Sequence, residues 1–325
     1  MHRKTTPVNN KASLTQNVSH PAEAATNHSC WVQDLMQSNP IFLREGSTIL
    51  EAMNIFREQR TDSILVVREK ESEGGLKLVG RICVKDVLRL LFPCLLRKDI
   101  VILNQMLNSH VRQILIPHPQ TVGPWSDVKQ VLSVMLRDFT QVVGIEQDDK
   151  LVGQVCCTAL LRLFSKVDEK TRPSDPLLDQ IFQMPVDVSE IMAEHVLCLC
   201  PQDDVAKAIC VFLATAVQNI PVLNSEAKSE GILSQYDALD YIAELLEPAR
   251  LAVFEEKGLI LDKTIDSLVH KNVAPISRNT NIVEVAAQMV QNNLSCLAVI
   301  DIRQKFCGVI FCAEILNWFY NRLPA

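Results

Sequence analysis

The sequence has no excess of positive charge. Its 32 Lys and Arg against 38 Asp and Glu give a formal net charge of −6 and a pI near 5.7. No basic field therefore gathers the phosphates of a polymer, which excludes nucleic-acid binding as the main business. Long apolar runs are missing too. The most apolar stretch, residues 87–107, is interrupted by Arg89, Pro93, Arg97, Lys98 and Asp99, far short of the roughly 20 apolar residues that a membrane span needs. Also absent are G-x-x-x-x-G-K-[ST], G-x-S-x-G and H-E-x-x-H, and the Asp/Glu pairs scatter along solvent faces, so no catalytic constellation is expected. Lys85 and Asp86 are neighbours on a predicted helix, where adjacent side chains point apart, so Lys85 is expected in solvent. No secretory signal is read, and a reducing setting follows, cytoplasmic with the nucleus included.

What is present is the composition of an ordinary globular protein, with 48% apolar and 22% charged residues over 325 positions. That length suits two compact halves. Residues 1–30 are polar, with Glu23 their single acidic residue, and read as a flexible tail; an organelle transit peptide is the alternative. Eleven cysteines sit mostly at apolar strand and helix positions. Cys198 and Cys200 would share one face of a strand, expected buried, and no second pair at zinc spacing accompanies them, so no metal site is expected.

The chain repeats itself. Gly80, Gly153, Gly231 and Gly308, in "LVGRICVKDVLRL", "LVGQVCCTALLRLF", "SEGILSQYDALDYI" and "FCGVIFCAEILNWF", are spaced 73, 78 and 77 residues apart. Each glycine lies in the same order of segments. A short "VQDLM", "VRQIL", "VSEIM" or "IDSLV" leads into an extended piece. Next comes a helix with apolar residues at helical spacing, such as Ile49, Met53 and Phe56, or Ile282, Ala286 and Met289. Thr48 with Glu51 and Asn281 with Glu284 mark helix starts. Two strands and a second helix complete a β-α-β-β-α unit.

Four such units in series resemble the cystathionine-β-synthase (CBS) domain family. The resemblance implies an α/β fold of four CBS repeats paired into two Bateman modules forming a flattened disk. The expected boundaries are 31–92, 108–166, 184–247 and 262–322, with a charged, proline-containing linker at 167–183. In nucleotide-binding members of this family, a Ser or Thr at the end of the second apolar strand contacts phosphate, and an Asp three residues on accepts the ribose hydroxyls. The third repeat carries both groups as Ser234 and Asp237. The first keeps Asp86 but has Cys83 for the hydroxyl. The second has Cys156 and Ala159, and the fourth has Phe311 and Glu314. The same Ser234 and Asp237 also read as a plain helix-capping box.

A stand-alone chain of four repeats also resembles the gamma subunits of AMP-activated protein kinase and their yeast and plant counterparts. That resemblance implies a non-catalytic regulator that senses AMP, ADP, ATP or another adenosine derivative, modulates a protein kinase or other partner, and exists as a monomer or within a hetero-oligomer. Those subunits place Arg or His just before the "PV" strand, where this chain has Asp62, Gln141, Asn219 and Ser295. Asn219 is left to hydrogen-bond a phosphate or sugar, and a cation would have to come from elsewhere, with His195, His270 and Arg278 as candidates. Two other readings stand beside this one: a ligand-free scaffold or inhibitor with decayed sites, and a thiol redox sensor using Cys198, Cys200 or the Cys156–Cys157 pair.

Overall fold

The computed structural model describes residues 31–70, 75–165, 180, 183–215, 217–246, 261–271 and 273–323. The expected N-terminal tail, and all of the expected linker but residues 180 and 183, lie outside these. The first repeat runs α1 (Val32–Leu35), β1 (Phe42–Arg44), α2 (Ile49–Gln59), β2 (Ser63–Glu69), β3 (Leu76–Cys83) and α3 (Val84–Arg97), followed by α4 (Ile100–Leu107). The second has a 3-10 turn (Val111–Gln113), β4 (Ile116–Pro117), β5 (Thr121–Val122), α5 (Val128–Asp138), β6 (Val142–Gln147), β7 (Lys150–Cys156) and α6 (Cys157–Leu163). The third has a 3-10 turn (Val188–Glu190), α7 (Val205–Ala214), β8 (Asn219–Leu223), β9 (Ser229–Ser234) and α8 (Gln235–Leu245). The fourth has a 3-10 turn (Ile265–Ser267), β10 (Ile276–Ser277), α9 (Ile282–Asn292), β11 (Cys296–Ile300), β12 (Phe306–Phe311) and α10 (Cys312–Tyr320).

Local signals explain the helix starts. Thr48 accepts from Glu51 N–H while Glu51 reaches back to Thr48 N–H, a complete capping box. Asn281 instead caps through Val283 N–H at 2.9 Å, without help from Glu284. Helix α3 continues through Pro93 and stops at Lys98, which takes a left-handed conformation.

Two large cores tie the repeats together. One joins the helices of the first and third repeats through residues such as Phe56, Leu91, Phe212 and Ile242. The other joins the second and fourth, where Phe164 and Phe319 stack with ring centroids 3.9 Å apart. Consecutive repeats meet through smaller sheet contacts, Leu65, Leu78 and Val142 on one side and Ile232, Cys296 and Val309 on the other. The four interfaces close a ring, and each core is shared between the two halves of the chain.

The anchor glycines mark where paired repeats exchange backbone. The segment after each opening turn crosses onto the last strand of the neighbouring repeat: Gln37 bridges Gln154, Ile116 pairs with Arg81, Ala193 bridges Val309 and His270 bridges Ile232. These crossings run directly over the glycines. A methyl at Gly308 would lie 2.6 Å from the Ala193 carbonyl oxygen, and one at Gly231 would overlap the His270 carbonyl oxygen. Gly231 also has φ +144°, a value that only glycine adopts without strain.

Two cysteine expectations are corrected. Cys198 and Cys200 are exposed, because the alternation turns Leu199 inward, where it bridges Val222. Lys85 is not in solvent: it is part-buried, and its ammonium donates to the Thr215 carbonyl across the first and third repeats.

Candidate functional site

Ser234 is the N-cap of α8, at the point where β9 ends. Its hydroxyl oxygen accepts from Asp237 N–H at 3.2 Å, while Asp237 Oδ2 accepts from both Ser234 N–H and Ser234 Oγ–H at 2.7 Å. The capping box is therefore real. It leaves Asp237 Oδ1, and that oxygen faces His270 Nε2 at 2.6 Å. The Asp237 side chain is 6% exposed and the His270 side chain 54%. The Asp237 carboxylate beside it holds the His270 imidazole above its ordinary value, against the opposing effect of partial burial.

His270 reaches Asp237 because its segment crosses over Gly231 from the fourth repeat. The equivalent crossing positions are Gln37, Ile116 and Ala193, so the third repeat alone receives a titratable group there. His195 lies two residues beyond its crossing position Ala193 and is exposed.

Above this triad lies a cavity of about 520 Å3 between the third and fourth repeats. Ser234, Asn219, His270 and Arg60 are among its polar lining residues, and Ile232, Val273 and Leu297 belong to its apolar wall. Asn219 Nδ2–H donates to Ser295 Oγ at 2.8 Å, joining the starts of the central strands of the two repeats. Arg60 comes from the first repeat. It ends α2 in a left-handed conformation, φ 47°, pairs with Asp240 at 2.8 Å and stands 5.9 Å over the Tyr236 ring.

Arg60 is the functional candidate that sequence reasoning passed over. The expected cation position before the central strand holds Asp62, whereas the cation stands two residues earlier and serves the opposite half of the chain. Phe139 and Asn293 occupy the same left-handed helix-ending position in repeats two and four, so the position recurs while its cation does not.

The other expected site residues lie elsewhere. Cys83 and Asp86 do not line this cavity. Asp86 Oδ2 accepts from Cys83 N–H at 3.0 Å and Cys83 Sγ–H at 2.9 Å, and Asp86 Oδ1 pairs with Arg89 at 3.2 Å. Burial, and then the neighbouring Asp86 carboxylate, push the Cys83 thiol up to about 12. In the fourth repeat, Phe311 and Glu314 border a more apolar cavity of about 280 Å3 that Phe139 flanks. Burial holds the Glu314 carboxyl above its usual value. Arg278 lines neither of these two cavities. Among the described residues there is no group of three or more His, Cys, Asp and Glu placed to hold a metal ion. No helix of those residues is long and apolar enough to cross a membrane.

The CBS-domain model matches residues 32–93, 188–244 and 265–321, more than half of the chain. The chain belongs to the CBS-domain family. Its second repeat falls outside these matches but shows the same element order in the structure. Among relatives of this CBS-domain chain, the uncharacterized protein MJ1404 of Methanocaldococcus jannaschii is 24% identical over 214 residues, 65% of this chain and 44% of that protein. MJ1225 of the same organism is 22% identical over 212 residues, 65% of this chain and 70% of that protein. The chain thus spans less than half of the first relative's length. The solved structure of MJ1225, described as a proposed archaeal homologue of g-AMPK, overlays with a TM-score of 0.73 at 19% identity, covering 89% of this chain and 100% of that one. An uncharacterized conserved protein from Pyrococcus horikoshii overlays with a TM-score of 0.57 at 18% identity, covering 89% and 99%. These likenesses show the fold: a mixed α/β assembly of CBS repeats, a family that is generally regulatory rather than catalytic.

Proposed function

We propose that this CBS-domain protein is a non-catalytic sensor that binds an adenine nucleotide, AMP foremost, in the cavity between its third and fourth repeats and passes the occupancy to a protein partner. The observation that carries this reading is the convergence of Ser234, His270 and Arg60 from three repeats on one cavity large enough for a nucleotide, with the Asp237 carboxylate directly behind His270. A ribose hydroxyl needs a carboxylate acceptor, and Asp237 Oδ1 becomes one when His270 leaves it. A phosphate needs donors and positive charge, which Ser234, Asn219, His270 and Arg60 supply. The base has the apolar wall of Ile232, Val273 and Leu297. Entry of a phosphate draws His270 off Asp237 Oδ1, and the freed oxygen takes a ribose hydroxyl. Ligand-free and bound states thus differ in contacts between repeats, the condition for a ligand to shift a conformational equilibrium.

The partner is proposed to be a protein kinase, as the gamma-subunit resemblance and the description given to MJ1225 suggest. A cytoplasmic setting, with the nucleus included, belongs to the same reading; the ten cysteines of the described residues are all free thiols. The chain acts as a monomer or within a hetero-oligomer, since four repeats close the ring within one chain.

A second reading is a scaffold without ligand. It is favoured by one observation: both oxygens of Asp237, like both of Asp86, already have partners within the chain. Isothermal titration with AMP, ADP, ATP and S-adenosylmethionine decides between them. Heat with AMP that is lost in Asp237→Ala supports the sensor; silence for all four ligands leaves the scaffold.

A further inference from the structure

Sequence comparison of the repeats leaves the second without a ligand role, since Cys156 and Ala159 stand where the third has Ser234 and Asp237. The structure nevertheless opens a cavity of about 220 Å3 there, between repeats one and two. Its wall is polar, with Gln59, Arg60 and Asp62 from repeat one and Gln141, Thr158 and Arg162 from repeat two. Arg162 follows Cys156 by the same interval as Asp240 follows Ser234. Charge is therefore reversed where the third repeat keeps a carboxylate for Arg57 and Arg60. Arg162 is exposed and makes no ion pair among the described residues. Asp62 also lines this cavity. Burial pushes its carboxyl up to about 6, so at neutral pH it still opposes an anion beside it, and that opposition fades as the pH falls through this value.

We propose that this cavity binds a compact phosphate-type oxyanion on Arg162 and Arg60. The ligand class follows from size and donors. The space is less than half of the 520 Å3 of the nucleotide cavity, and Ala159 offers nothing to a ribose. Two guanidinium groups, a hydroxyl and side-chain amides suit a tetrahedral oxyanion, which accepts from several directions. Arg60 lines both cavities. An anion that holds Arg60 in the smaller one withdraws a cation from the larger, so the two sites weaken each other, and the effect is reciprocal. This coupling rests on the nucleotide reading, whereas the oxyanion site does not.

The test uses the full chain, with inorganic phosphate as the probe and sodium chloride and sodium acetate at matched ionic strength as references. Phosphate is expected to raise the thermal midpoint of the wild type and not that of Arg162→Gln, with acetate leaving both unchanged. Saturating phosphate is expected to raise the AMP dissociation constant about fivefold in the wild type and to leave it unchanged in Arg162→Gln. A phosphate shift retained in Arg162→Gln, or absent from the wild type, overturns the site. A shift with acetate equal to that with phosphate overturns the phosphate-type class. Equal competition with AMP in both chains overturns the coupling, because the phosphate then sits in the nucleotide cavity itself. If AMP is silent, the nucleotide reading fails alone and the phosphate arm still decides.

Discussion

Asp237→Ala separates the structural duty of this carboxylate from its pairing with His270. Asp237 accepts three hydrogen bonds, from Ser234 N–H and Oγ–H at 2.7 Å each and from His270 Nε2 at 2.6 Å. Its side chain is 6% exposed, and Ser234 is buried as well. Removing the carboxylate leaves the Ser234 N–H without an acceptor in a buried place, which costs about 1–3 kcal/mol. The His270 pair adds little, because that side chain is more than half exposed and solvent screens it, a contribution of about 0–1 kcal/mol. The expected total is about 1–4 kcal/mol, against at most about 1 kcal/mol for His270→Ala. Urea unfolding at unchanged m-value measures both. The reasoning fails if Asp237→Ala costs no more than His270→Ala, for then the cap carries nothing.

Three further outcomes are expected. Gly231→Ala forces a methyl onto the His270 carbonyl at a φ of +144°, and should cost about 3 kcal/mol or more in urea unfolding; Gly46→Ala, which has open space around it, should be near neutral. His270 should titrate above 6.5 by NMR and fall back towards it in Asp237→Asn. Because this folded-state value is raised, the stability that the pair contributes is fully present below the unfolded value and disappears as pH rises through the folded one. Phe319→Ala empties the stack against Phe164, where both rings are fully buried, and should cost about 3–5 kcal/mol in equilibrium unfolding.

Much of the fold is legible in the sequence because the repeats are. Four glycines at a near-constant interval, with apolar periodicity on either side, are enough to read four repeating units, although the opening strand expected in the third is reduced to the single Leu199–Val222 bridge. The physical reason for the glycines is not legible, since it lies in backbone from a neighbouring repeat passing over Gly231 or Gly308. The sharing of cores is hidden for the same reason: apolar faces such as those carrying Phe56 and Phe212 show that they will be buried, and not against which repeat. At the candidate site, Ser234 and Asp237 are visible as a local pattern, and Asn219 by its position before a strand. Arg60 and His270 come from other repeats, and only the crossing over Gly231 and the left-handed end of α2 bring them to the cavity. Cys83 and Asp86 carry the same spacing as Ser234 and Asp237 yet form a closed local cap with Arg89. Motif spacing alone does not distinguish the two.

Calorimetric titration of AMP into the full chain at neutral pH tests the central claim most directly. The account predicts saturable binding that weakens strongly in Asp237→Ala and in Arg60→Gln, while Asp86→Asn, in the closed cap of the first repeat, leaves it unchanged. Absence of heat with the wild type, or binding lost in Asp86→Asn and retained in Asp237→Ala, would contradict it.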